Sequence, residues 1–166
     1  LDFTEGYSAG TTGAVWITGG QFKVGGSTIL GFQPPSYGQI IISNGTATTK
    51  SLFVGDSTGR SGSLAIYTNG TMMVSSNMLV GYCPVSATGS VLIAGGNLIV
   101  TNDTVEGAVL DISGGTLTLS SGLLIVDKIV ITNTCAKFVY AAPPPTATLL
   151  YTTSLLSAIL DADGDG

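Results

Sequence analysis

A tight two-residue turn, Gly-Gly or Asn-Gly, returns along this chain at a nearly constant interval. It stands at Gly19-Gly20, Asn44-Gly45, Asn69-Gly70, Gly95-Gly96 and Gly114-Gly115, and the steps between the second residues are 25, 25, 26 and 19. Ile29-Leu30-Gly31, Phe53-Val54-Gly55 and Leu79-Val80-Gly81 keep the same time, at steps of 24 and 26. A third marker is the glycine that opens each unit before an apolar run: Gly13, Gly38, Gly62, Gly89 and Gly107. A fixed period of this size is the signature of stacked repeats.

Within a unit the apolar residues alternate. Val15 and Ile17 alternate with Ala14, Trp16 and Thr18; Leu64 and Ile66 with Ser63, Ala65 and Tyr67; Leu117 and Leu119 with Thr116, Thr118 and Ser120. Period two with many β-branched residues marks half-buried strands. Each unit reads as strand, tight turn, strand, turn, strand, loop. Asn-Gly between alternating runs is also the strongest hairpin signal, so an antiparallel sandwich competes. The repeat argues against it, because like units stack most simply in register, placing inward Val, Ile and Leu on their counterparts about 4.8 Å away. The expected fold is all-β, a parallel β-helix (β-solenoid) of about five to six coils with three short strands per coil. The solenoid is expected over 1–142, with a tail over 143–166. In this reading Gly107 opens a fifth unit, the long loop is missing from the unit before it, and Leu123 onward starts a partial sixth coil. The long loops Phe32 to Tyr37, Gly55 to Ser61 and Tyr82 to Thr88 leave one corner, and insertions on one face often mark a binding face.

Composition narrows the function. Hydrophobic residues make up 44% of the chain and charged residues 9%, with a net charge of −5. Ser, Thr, Asn and Gly must therefore supply the polar surface. The five cations Lys23, Lys50, Arg60, Lys128 and Lys137 are scattered, so no basic patch suits nucleic acid or an anionic membrane. No run reaches the ~20 apolar residues of a membrane-spanning helix. Leu1 to Glu5 lacks the basic and apolar regions of a signal peptide and suits a mature N-terminus.

Ala141-Ala142-Pro143-Pro144-Pro145 breaks the strand pattern, since proline cannot donate to a ladder. Beyond it, Leu149, Leu150, Leu155, Leu156, Ile159 and Leu160 form an apolar segment. It either folds back as a cap over the open solenoid end or adds to a neighbouring subunit. The chain ends Asp161-Ala162-Asp163-Gly164-Asp165-Gly166. Carboxylates of Asp161, Asp163 and Asp165 at alternate positions match the opening of a calcium loop, without the bidentate acid that completes it. Calcium is the one ligand ion expected; no other cofactor is.

Other candidates are weaker. Asn44, Asn69 and Asn102 fit the glycosylation pattern, which Asn-Gly turns before a threonine also produce. Cys83 and Cys135 lie about two coils apart, and rung spacing argues for buried or free thiols, or an intermolecular bridge, over a direct bridge. With no histidine, triads and imidazole ligands are absent. A carboxylate pair serving a glycosidase would have to use Asp111, which is expected to face outward toward Asp127 or Lys128. Thr46, Thr48, Thr71 and Thr116 are too irregular for a flat ice-binding array. Phe32, Tyr37 and Tyr82 on the long loops are candidates for stacking against sugars.

The pattern Gly-x-Val-x-Ile-x-Gly-Gly-x-Leu-x-Val, as in Gly89 to Val100 and Gly107 to Leu119, resembles the strand repeats of bacterial autotransporter passenger domains and related secreted β-strand-repeat proteins. The resemblance covers about Gly13 to Tyr140 and carries no catalytic residue. It implies an adhesin, stalk or surface-layer role for the solenoid, although such passengers are usually much longer. The expectation is therefore an extracellular or cell-surface structural protein, not an enzyme, whose units self-associate into a fibre, filament or layer as a homo-oligomer or homopolymer. A carbohydrate-binding or adhesive module is the alternative, with a glycan as partner, and a polysaccharide-active β-helix enzyme is a minor one.

Overall fold

The computed structural model describes residues 1–58, 60–83, 87–104, 106–131, 133–140 and 147–151. The chain enters through β1 (Phe3–Glu5). The first coil is β2 (Thr12–Ile17), β3 (Gln21–Lys23) and β4 (Ser27–Leu30); the second is β5 (Ser36–Ile42), β6 (Thr46–Thr49) and β7 (Ser51–Val54). The third is β8 (Arg60–Tyr67), β9 (Thr71–Val74) and β10 (Asn77–Val80). In the fourth, β11 (Thr88–Val100) turns a corner without a break and β12 (Val109–Ile112) follows. The fifth repeats this with β13 (Thr116–Val126) and β14 (Lys128–Ile131), and β15 (Lys137–Tyr140) and β16 (Ala147–Tyr151) begin a sixth. Among the described residues there is no helix, and none long and apolar enough to cross a membrane.

Every strand pairing between coils is parallel. The molecule is a β-solenoid of about five turns with three faces, and the antiparallel alternative is excluded. Register puts like on like. On the first face one inward column runs Val15, Ile40, Leu64, Val91, Leu117, Phe138. On the second it runs Phe22, Ala47, Met72, Leu98, Leu124, Leu149. On the third it runs Phe3, Thr28, Leu52, Met78, Leu110, Ile129. The middle members of these columns are fully buried and form one core. Thr28 is the polar exception. Its hydroxyl donates to Thr49 Oγ1 at 3.0 Å, and Thr49 is held in turn 2.9 Å from the Gly26 carbonyl, so neither buried hydroxyl is orphaned.

The corners explain the glycines. Asn44 and Asn69, at the corner between the first and second faces, have φ of 58° and 60°, and the Asn69 amide donates to Asn44 Oδ1 at 3.0 Å. Asn is the non-glycine residue that best tolerates this left-handed backbone, and the Asn44 oxygen gains its donor from the Asn69 amide stacked on it. At the corner between the third and first faces, Gly6, Gly31, Gly55 and Gly81 form a column with φ of 68°, 78°, 63° and 66°.

Two expectations about the later coils need correction. β12 pairs with β10 and β14, so Val109 to Ile112 is the third strand of coil four and Gly107 does not open a new unit. The long loop of that coil is present but has moved to the corner between the second and third faces, described over 101–104 and 106–108. Gly114-Gly115 likewise turns the corner between the third and first faces. The equivalent of Gly96 in the next coil is Gly122, a step of 26, so the period holds at the corner between the first and second faces. Leu123 to Val126 is consequently the second strand of coil five, and the sixth coil starts at Lys137.

Candidate association edges and ligand-facing loops

The two ends of the stack are strand edges. β1, β2 and β3 form one; β14, β15 and β16 form the other, and among the described residues no further strand pairs with either. Each inward column ends in an apolar side chain that is only half-buried. At the first edge these are Phe3, Val15 and Phe22, with the Phe3 and Phe22 rings edge to face at 5.0 Å. At the second they are Ile129, Phe138 and Leu149. The first edge also carries Glu5 in the column of Leu30 and Val54, its carboxylate beside Gly13.

Of the six tail residues singled out for association, Leu149 joins the second-face core column and Leu150 stands outward beside Ile125, 49% exposed. Leu155, Leu156, Ile159 and Leu160 lie outside the described residues, as do Asp161, Asp163 and Asp165 of the calcium-like ending. Among the described residues no cluster of three His, Cys, Asp or Glu side chains could hold a metal ion.

The long loops do leave one corner. Phe32 is already engaged there: its ring stacks on Tyr7 from the preceding coil at 5.2 Å and 9°, and the Arg60 guanidinium of the following coil lies 5.1 Å from its centroid. Arg60 is fixed by Asp56 at 2.9 Å. This column of Tyr, Phe and Arg ties three coils together, and it takes up the ring surface that a sugar would use. Tyr37 instead lies on the first face, its hydroxyl 2.6 Å from Ser63 Oγ. Tyr82 is 45% exposed, beside Cys83 at the mouth of its loop.

Sequence reasoning did not find the depression next to Tyr37. The outward column Trp16, Ile41, Ala65, Leu92 is apolar, and Ala65 is its small member. The gap above Ala65, about 350 Å³, is walled by Tyr37, Gln39, Ser63, Tyr67, Ser90 and Leu92. The signal was available in the repeat, as a small residue where the neighbouring coils carry Ile and Leu.

Two expectations need correction here: that Asp111 faces Asp127 or Lys128, and that Cys83 and Cys135 are not directly bridged. Asp111 does face outward, but its column neighbours are Leu79 and Val130, and Asp127 is turned away to accept backbone N–H bonds from Asn102 and Ala108, each at 2.8 Å. One Asp111 oxygen is buried without a hydrogen-bond partner, and burial raises the carboxyl above its ordinary range. Cys83 and Cys135 form a disulfide with Cα atoms 6.4 Å apart. The coil between them contributes only Ser113-Gly114-Gly115 at that corner, so the loops above and below close over it. A Cβ on Gly114 would sit 2.6 Å from the Cys83 backbone nitrogen. Asn102 Oδ1 accepts from Thr104 N at 2.9 Å, and Thr116 lies on a different face from Thr46, Thr48 and Thr71.

The class that these features define is a parallel β-solenoid with a disulfide clasp and, among the described residues, a strand edge at each end. The chain matches no protein-family model, no curated protein and no solved structure.

Proposed function

We propose that the protein is an extracellular structural solenoid whose copies associate end to end into a fibre, filament or layer. The observation that carries this is the match between the two edges. Both have the same three-sided section, and in the columns of Phe3, Val15 and Phe22 the opposite end offers Ile129, Phe138 and Leu149. Continuing the register across a junction would pair six strand edges, bury these apolar groups, and set Asp2 in the outward column of Lys128. Glu5 opposes the contact, because an inward carboxylate at an edge must be desolvated. The disulfide supports a location in an oxidising compartment, at the cell surface or beyond it. Kinship with autotransporter passengers is part of the same proposal, resting on the repeat pattern and the solenoid.

Sedimentation velocity and negative-stain electron microscopy over a concentration series test it. Concentration-dependent head-to-tail species are expected, lost in Phe22→Lys and Phe138→Lys and strengthened in Glu5→Leu. Monomers at every concentration would sink the proposal.

A second reading, a carbohydrate-binding or adhesive module, is favoured by the first-face depression. Tyr37 and Tyr67 flank it with ring surface, while Gln39, Ser63 and Ser90 offer hydrogen bonds. Glycan-array binding that Tyr67→Ala removes would select this reading.

A further inference from the structure

We infer that the corner between the second and third faces holds a second, separate binding site, one for an acidic saccharide. At this corner the first three coils turn tightly, through Gly25-Gly26, Lys50 and Ser75-Ser76, whereas coil four sends out a longer loop described over 101–104 and 106–108. That loop stands beside the shorter turns, and an open depression of about 420 Å³ lies between them. Lys23 and Lys50 from the first two coils, Ser75 and Ser76 from the third, and Asn102 and Thr104 from the fourth line it.

Four features give the cleft its chemistry. Two of the chain's five basic side chains converge here although the net charge is −5. Neither lysine forms an ion pair with a described residue, the one such pair being Arg60 with Asp56. The wall is preorganised: Asn102 Oδ1 accepts from both the Thr104 amide, at 2.9 Å, and the Thr104 hydroxyl, at 2.6 Å, while the Asn102 amide is tied to Asp127 at 2.8 Å. No aromatic ring lines the cleft, so a nucleotide base would have nothing to stack on. Two free ammonium groups call for an oxyanion, and the surrounding hydroxyls and lysine stems suit a polyhydroxylated body of one or two rings. Asp103, exposed on the same loop, repels the anion and limits its affinity.

Isothermal titration at low ionic strength tests the assignment, with an oligogalacturonate, the neutral galactose oligomer of equal length, and sodium sulfate as probes. The oligogalacturonate should bind and the neutral oligomer should not. The Lys23→Gln/Lys50→Gln double variant should lose about tenfold in affinity, while Lys128→Gln/Lys137→Gln, equal in charge change, should not. Asp103→Asn should tighten binding. Thermal melts of each variant at the wild-type midpoint show that the fold is kept. Failure of the oligogalacturonate to bind overturns the site. Equal loss in both double variants reduces it to general charge attraction, and sulfate binding as tightly as the oligogalacturonate removes the saccharide; either result overturns the inference.

Discussion

Cys83 and Cys135 are joined through a disulfide, Cα to Cα 6.4 Å, although a whole coil runs between the loops that carry them. The bond therefore clasps the third coil to the start of the sixth, across the corner that Gly114 and Gly115 keep small. It closes a loop spanning a sequence separation of 52, for which the chain-entropy estimate is about 4 kcal/mol. The Cys83→Ser/Cys135→Ser variant should lose about 2–4 kcal/mol in urea unfolding. Hydrogen exchange should rise mainly in β13 to β15. Unchanged stability after removal of both thiols would mean that stacking alone holds these coils.

The left-handed glycines at the same corner separate two costs. Gly10 has a φ of 75° and open space where a Cβ would go, so Gly10→Ala should cost about 1–2 kcal/mol, the penalty of the backbone conformation alone. Gly81 has a φ of 66°, and a Cβ there would lie 2.3 Å from the Gly115 backbone nitrogen. Gly81→Ala should therefore cost at least about 3 kcal/mol, because the next coil must move as well. Melting temperatures of the two variants check the order; equal costs would show that the coils can part there freely.

The first-face core was legible because Leu64 and Ile66 alternate with Ser63, Ala65 and Tyr67, and Leu117 and Leu119 with Thr116, Thr118 and Ser120, so alternation assigned the inward side. Legibility failed where outward residues are also apolar. Leu123 and Ile125 point outward beside Leu124 and Val126, and such a run carries no period. The dipeptide Gly114-Gly115 announced a sharp turn but not which corner it turns. The fifth unit was therefore placed one strand out of phase. The cysteines were judged by straight rung spacing, which omits that loops lean across a corner when the coil between them is short. The cleft at Lys23 and Lys50 escaped because its wall comes from the relocated loop. Its pair of lysines could have been found, since a period of ~25 residues sets Lys23 beside Thr48, two residues before Lys50.

Asp111 interrupts the outward apolar column of Phe53, Leu79 and Val130. Burial raises its carboxyl above the unfolded value. The native state then holds the proton more tightly than the unfolded chain, so Asp111 costs nothing below the ordinary carboxylate range. It becomes destabilising as pH rises from that range through its raised value. Melting temperature should accordingly fall, relative to Asp111→Asn, as pH increases above about 4. At neutral pH Asp111→Leu should stabilise by about 1 kcal/mol, continuing the apolar column and removing the unpartnered oxygen. A parallel pH profile for wild type and Asp111→Asn would show that the carboxyl is solvated.

Asp127 is the opposite case, a buried carboxylate that the fold uses. Its Oδ2 accepts from the backbone amides of Asn102 and Ala108, at 2.8 Å each, and so pins both ends of the loop over 101–108 to the coil below. A buried donor, the Ala108 amide, and a part-buried one, the Asn102 backbone amide, depend on one oxygen, and hydrogen bonds to a charged acceptor are worth about 1.5–3 kcal/mol each. Asp127→Ala should cost about 3 kcal/mol, and Asp127→Asn less, since the amide oxygen can still accept. Exchange at the Ala108 amide should accelerate in Asp127→Ala before global unfolding, because the loop opens locally when its anchor is gone. If the Ala108 amide stayed as protected as in wild type, the loop would owe its position to packing and not to this carboxylate.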